Sequence, residues 1–485
     1  MDRAAVLAIS MAMFTNLLAG AILLLALAGL FSQWLALATG RDFVFGLIPK
    51  LNPAGTRNIP VWFASVAFTV CAAFAAVTAL ASRPSASPLG RRWRALAVML
   101  AVLSAERLAS PISGLQRLAS GPNTGSPPHI LTGLAAAVTL VVYGWCIYDL
   151  PRKIQAHFVR AAVVFVAGVT LCEFAPPAQP ANALEQRIMH MLMMSAGRLL
   201  ELAGVALFLE AVAVHLRSQV GEIRVVVDSS LARLVESRAA GGALVIRLSA
   251  GRIQLVLAAA ALVLLVAGLA AALARDMAGW EIEGIYRVFV VDFEGNLPTW
   301  YSSLLLLACA VGLACIAAAR HHALDGQWRL WAMLGLLFAG MSIDEAAGLH
   351  ELSVMPLRSL LAGNAWLRYP LILPGLVVAA LAYGFFARFL RSLPAKTRRQ
   401  ICLGFGVILF GALGIETVGG WFDPVVYGPS VTYALLSTIE EGLEMIGTII
   451  VLGAVMRHIE HHIGTLTIPG VARPPGALVG RGLAF

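Results

Sequence analysis

Long apolar runs alternate with short polar loops along the whole chain, and most runs are close to twenty residues. A helix of about 20 residues matches the ~30 Å hydrocarbon core of a bilayer. The pattern predicts twelve spans, at about 7–36, 61–82, 95–115, 129–149, 160–176, 187–215, 253–275, 299–319, 330–349, 369–388, 400–419 and 431–457. The first run begins almost at Met1 and continues past Leu30, too long for a signal-peptide core, and is counted as a true span. The expected fold class is all-α: a polytopic membrane helical bundle. One stretch interrupts the pattern. "MSIDEAAGLHELSV", residues 341–354, closes an apolar run with Asp344, Glu345, His350 and Glu351.

Composition agrees with the spans, since 59% of the 485 residues are hydrophobic and only 13% charged, outside the range of soluble domains. The net charge of +9 is distributed unevenly. With the N-terminus inside, the basic groups (Arg3, the Arg83–Arg94 group, Arg152, Lys153, Arg160, Arg217 to Arg252, Arg320, Arg329, Arg388 to Arg399, Arg457, Arg473, Arg481) fall on one side, and the acidic loop 276–294 on the other. This is the positive-inside pattern of a multi-pass protein of a bacterial cytoplasmic membrane with both termini cytoplasmic. The expected partner is thus the lipid bilayer together with a small ion or small-molecule substrate, and nucleic acid is excluded. The six cysteines fall in or beside spans without a CxxC pair and read as small core residues.

The sequence also aligns with itself. "NIPVWFAS" (58–65) matches "NLPTWYSS" (296–303) at a shift of 238, which also places Trp93 on Trp331 and "SAER" (104–107) on "SIDE" (342–345). Further along the shift is 243, pairing Leu150-Pro151 with Leu393-Pro394, Gly168 with Gly411, Glu201 with Glu444, Gly204 with Gly447 and His215 with His458. Two parallel six-helix repeats are therefore expected: 1–216 and 253–457, joined by a cytoplasmic linker at 217–252 and followed by a tail at 458–485. Asn58/Asn296 and Pro60/Pro298 read as helix-start signals.

The repeat separates architecture from chemistry. Matching columns read Glu106, Arg107, Glu173, Arg198 and Glu201 in the first half but Asp344, Glu345, Glu416, Glu441 and Glu444 in the second. Glu351 and Glu440 add two more acids. Each acid at mid-helix costs about 2.5–3.5 kcal/mol, so seven approach ~20 kcal/mol before any discount for depth. Such a cluster is tolerable if its members carry protons, line water or hold a cation. Glu440, Glu441 and Glu444 share one helical stripe. Asp344 and Glu351 share another face, with Glu345 and His350 to either side unless Gly348 breaks the helix. The preferred cation- or proton-binding set is Asp344, Glu345, Glu441 and Glu444 with Glu416, while His350, Glu351 and Glu440 are added candidates for a divalent metal ion. Arg107 and Arg198 are expected to neutralise Glu106, Glu173 and Glu201.

The D-E-x-x-x-x-H-E element (344–351) followed by E-E-x-x-E (440–444) resembles uncharacterised bacterial multispan membrane proteins; the resemblance covers mainly the second half and implies no activity. "RPSASPLGRRWR" (83–94) and the six-plus-six layout resemble major-facilitator transporters, but the aspartate of that family's loop motif is missing here. Ser342, Asp344, His350 and His458-x-x-x-His462 superficially resemble the ligands of ceramidase-like zinc hydrolases. His458 is expected on the order of 27 Å deeper than His350, too far to share a zinc. The leading expectation is membrane transport through the second-half acids. An intramembrane metal-dependent enzyme on a lipid-like or quinone-like substrate and a scaffold subunit are the rivals.

Overall fold

The computed structural model describes residues 4–6, 11–39, 47–53, 55–82, 88–112, 130–176, 184–220, 222–228, 243–278, 283–353, 372–422 and 430–469. Arg3, Arg83, Arg233, Arg238, Arg473 and Arg481 of the predicted basic side, and most of the tail, lie outside them. The described chain is mostly helical: α1 (Met11–Thr39), α2 (Leu47–Leu51), α3 (Ile59–Ala81), α4 (Pro88–Ala109), α5 (Ile130–Ile147), α6 (Arg152–Glu173), α7 (Leu184–Gln219), α8 (Ala250–Ala278), α9 (Glu283–Phe289), α10 (Leu297–His322), α11 (Trp328–Ala347), α12 (Ile372–Ser392), α13 (Ala395–Leu409), α14 (Glu416–Gly419) and α15 (Val431–His458). Among the described residues nine helical segments are long and apolar enough to cross a membrane. Three further predicted spans fall on α4, α5 and α15. α4 and α15 are diluted by internal charges (Arg91, Arg92, Arg94, Glu106, Arg107; Glu440, Glu441, Glu444, Arg457), and α5 has only the short apolar stretch Ala137–Ile147.

The all-α expectation needs correcting. Four strands, β1 (Ala4–Val6), β2 (Glu222–Asp228), β3 (Ala243–Ser249) and β4 (Thr465–Pro469), form one sheet in the order β1-β4-β2-β3. β2 and β3 lie in the segment read as a linker, and β4 in the segment read as a tail. Their Val-, Ile- and Leu-rich runs suit a pleated, half-buried surface, but the partners come from distant parts of the chain, so helix periodicity gives no sign of them. β4 pairs antiparallel with β2, Arg224 opposite Thr467 at the centre, while β1 pairs parallel with β4 and β3 parallel with β2. Since β2 follows α7, β3 leads into α8 and β4 follows the last turn of α15, the sheet caps one end of the bundle.

Many contacts recur at the shifts read from the sequence. Asn58 and Asn296 cap α3 and α10, their side chains accepting from Val61 N at 2.9 Å and Thr299 N at 3.0 Å. The same two side chains donate to the Asn52 and Val290 carbonyls. Ser65 and Ser104 exchange hydroxyl-to-carbonyl bonds between α3 and α4, as Ser303 and Ser342 do between α10 and α11. Two tryptophans then cross between the halves: Trp62 Nε1 donates to Ser342 Oγ and Trp300 Nε1 to Ser104 Oγ, both at 3.0 Å. Trp93 and Trp331, each fully buried, anchor separate cores and pack on His215 and His458. The central β2–β4 pair, Arg224 and Thr467, is itself separated by the 243-residue shift.

The six cysteines are all free. His458 is buried against Trp331 and within 3.3 Å of Arg320 Nη2, so it holds the helix end by packing, not as a solvated cation at the dipole.

Close helix contacts rest on glycine. A Cβ on Gly447 would lie 2.6 Å from the Gly404 carbonyl oxygen and 2.9 Å from Ile408 N, so α13 and α15 meet backbone to backbone. Gly447→Val is expected to force them apart and cost about 1–3 kcal/mol, seen as a lowered Tm of the purified protein. Gly384→Ala, with nothing within 4 Å of the new carbon, should leave Tm unchanged or raise it.

Candidate functional site

α11 ends where its sequence changes from apolar to acidic. Gly348 takes a left-handed conformation (φ 56°, ψ 49°), which a glycine adopts without a Cβ penalty, and its N–H donates back to the Asp344 carbonyl. The reversal folds His350 onto the helix it has just left. His350 N donates to Asp344 Oδ1 at 2.8 Å, and the ring Nδ1 lies 3.2 Å from both Asp344 oxygens. A regular helix would have kept the two apart; the break at Gly348 brings them together.

Opposite, the predicted span 400–419 is not one regular helix. α13 runs into a π-helical turn, Phe410–Ile415, and resumes as α14 at Glu416. Such turns insert an extra residue and re-aim the side chains of the next helical turn. Here they face α15: a Cβ on Gly411 would lie 2.9 Å from the Glu440 carbonyl oxygen and 3.3 Å from Glu444 Cγ. Glycine at 411 therefore lets the Glu416 segment approach the acidic stripe of α15.

All eight residues predicted from the sequence line one cavity of about 1210 Å³: Asp344, Glu345, His350, Glu351, Glu416, Glu440, Glu441 and Glu444. Four residues that sequence reasoning did not single out border the same site. Asp292 and Glu294 come from the loop before α10, Arg57 from the turn before α3, and Lys50 from α2. The comparison that isolates Glu345 and Glu441, an acid in the second half with no acid in its first-half column, also picks out Asp292 and Glu294, whose counterparts are Ala54 and Thr56.

The charges divide into two layers. At the rim every acid has a basic or hydrogen-bonding neighbour. Arg57 pairs with Glu294 and lies 3.4 Å from Glu351, Lys50 Nζ is 3.9 Å from Glu351 and donates to the Ala347 carbonyl, and Tyr433 Oη donates to Asp292 at 2.6 Å. His350 Nε2 lies 3.8 Å from Glu294. Inside, Glu345, Glu416, Glu440, Glu441 and Glu444 make no ion pair or side-chain hydrogen bond among the described residues, and their nearest charged neighbours include one another.

The first half solves the equivalent problem differently. Arg198 Nη1 donates to both oxygens of Glu201 at 2.8 Å, and Arg107 Nη2 lies 3.4 Å away on the same carboxylate. Glu201 is the column of Glu444, and the two arginines are the columns of Glu441 and Glu345. Where one half has a carboxylate between two guanidiniums, the other has three carboxylates. The expected neutralisation of Glu106 and Glu173 takes another form. Glu106 accepts from Ile112 N at 2.7 Å, and Glu173 is exposed. Both arginines are already committed to Glu201.

Among the described residues no group of three or more His, Cys, Asp or Glu converges closely enough to hold a metal ion. The donors sit on separate walls of a wide cavity, and His350, the one imidazole there, is engaged by Asp344. His458 and His462 stack at the other end of the bundle, beside Arg320, and belong to no site with His350.

His350 lies beyond the end of its span, its side chain 45% exposed. The hydrogen bond to Asp344 pushes its pKa up to about 9, against partial burial, with help from the Asp344, Glu294 and Glu351 charges. A histidine whose folded pKa exceeds its unfolded value of 6.5 adds stability that is complete below that value and is lost as pH rises through about 9. The stability difference between wild type and His350→Gln should therefore be largest at pH 6 and vanish above pH 10, measured as Tm across that range.

Residues 255–459 match a family described as a domain of unknown function (DUF8692), a stretch that contains every acid lining the cavity. No curated protein and no solved structure matches the chain.

Proposed function

We propose that the chain is a membrane carrier of two parallel six-helix repeats, in which the second repeat binds a cation or cycles protons while the first serves as a neutralised scaffold. The observation that carries this reading is the inner layer of five carboxylates, Glu345, Glu416, Glu440, Glu441 and Glu444, on one cavity, none of them in an ion pair among the described residues. Intramembrane acids arranged in this way are the usual material of proton relays and coupling-ion sites. Carboxylates gathered this way at membrane depth are offset by protons, by water in the cavity or by a bound cation, and a site that exchanges a proton or a cation can carry it.

The twelve-span, doubled layout draws support from the contacts that recur at 238 and 243 residues, above all the reciprocal Trp62–Ser342 and Trp300–Ser104 bonds. The orientation draws on the sheet end of the bundle, where Arg224, Arg247, Arg252, Arg320 and Arg457 gather. By the positive-inside rule that end faces the cytoplasm of a bacterial inner membrane, and the acidic rim faces outward.

The test is flux in proteoliposomes holding the full chain, with an imposed membrane potential and an internal pH or cation indicator. Glu441→Gln and Glu444→Gln are expected to lower flux at least ~10-fold with Tm near wild type, while Glu173→Gln, exposed and away from the cavity, keeps it. Wild-type flux in both glutamine variants would overturn the proposal.

A further inference from the structure

The cavity is much larger than a bare ion needs, and its walls change character along its length. On α11 the lining residues are Leu334, Leu337 and Met341, then Asp344 and Glu345. α13 and its continuation repeat the order, from Cys402, Phe405 and Leu409 through Leu413 of the π-turn to Glu416 of α14. α12 supplies a wall from Pro374 to Leu390, sixteen residues of rise or roughly 24 Å. That helix brings Ala382, Phe386 and Leu390 to the apolar end and no acid. The α11 and α13 walls thus lead from the inner carboxylates to hydrocarbon at depth, and α12 closes the apolar part.

A second observation sits at the boundary. Ser302 on α10 lines the cavity, is only 8% exposed, and its hydroxyl has no hydrogen-bond partner among the described residues. Its neighbour Ser303 bonds Ser342 on α11, which fixes Ser302 at the depth of Met341 to Glu345. A buried hydroxyl without a partner is destabilising unless something meets it. The group best suited to this point is an ammonium, which can give one N–H to Ser302 and others to the carboxylates.

We infer that the occupant is an amphiphilic cation: a protonated amine head held by the inner carboxylates and Ser302, with an apolar tail lying along the α11–α12–α13 trough. This rests on the carboxylates being a cation site, and adds the substrate class. A small hydrated ion would use the acidic end alone and leave the trough without purpose; a neutral lipid would use the trough and leave five acids uncompensated.

Binding is measured by surface plasmon resonance on the full-length protein in phosphatidylcholine nanodiscs, with empty nanodiscs subtracting partition into lipid. The probes are n-decylammonium, methylammonium and decanol. Wild type is expected to bind decylammonium more than ~10-fold tighter than methylammonium, since two buried methylenes already supply about that factor. Decylammonium should also bind more than ~10-fold tighter than decanol. Ala382→Trp, which fills the trough, should weaken decylammonium at least ~10-fold and leave methylammonium unchanged; Ala379→Leu is the smaller filling if the tryptophan variant does not fold.

Methylammonium binding as tightly as decylammonium, no effect of either filling, decanol binding equally well, or no decylammonium binding at all would each overturn the inference. If Glu441→Gln weakens both amines equally and they bind alike, the cation site stands and the amphiphile does not. If Glu441→Gln binds decylammonium as wild type does, both readings fall.

Discussion

Negative charge removed from water is the constraint around which this structure is organised. A carboxylate in a low-dielectric bundle loses hydration that only a nearby positive group, a proton or retained water can replace. The two halves meet this demand in opposite ways from matching columns. In the first, Arg107 and Arg198 converge on Glu201 and the charge is balanced within the protein. In the second, Glu345 and Glu441 take the place of the arginines around Glu444, and among the described residues no arginine or lysine pairs with this inner set; His350, engaged by Asp344, eases the charge on Glu345 and Glu416 from a distance without an ion pair.

The surrounding architecture keeps that uncompensated set together. Gly447 and Gly411 let α13 and its continuation pack directly on α15, which puts Glu416 across from the Glu440–Glu444 stripe. The π-turn before Glu416 and the left-handed Gly348 after α11 are departures from regular helix, and both lie at the cavity. The cations that do reach the site, Arg57 and Lys50 from the first half, stop at the rim with Glu294 and Glu351. They tie the halves together across the mouth without reaching the inner layer.

Much of this is legible in the sequence, because the dominant forces leave periodic or comparative traces. Apolar length locates the helices, and the Asn-x-Pro starts of α3 and α10 are readable as caps. The internal alignment isolates the acids, since a charge that changes sign between matched columns cannot be serving packing alone. Three features leave a weaker trace or none. The sheet joins short strands from 4–6, 222–228, 243–249 and 465–469, a pairing no local window contains. The helix breaks at Gly348 and Phe410 depend on tertiary packing, so regular helix periodicity places His350 away from Asp344. Asp292 and Glu294 read as topology markers in an acidic loop, although the column comparison that isolates Glu441 applies equally to them.

Everything in the second half turns on Glu345 and Glu441 being the positions where counter-ions are missing. Installing the first half's solution tests this directly: Glu345→Arg with Glu441→Arg would surround Glu444 with two guanidiniums, as Glu201 is surrounded. Flux in proteoliposomes and Tm are measured together on this double variant. The expected result is a folded protein with Tm at or above wild type and no flux. A double variant that fails to fold, or one that folds and still carries flux at the wild-type rate, would contradict it.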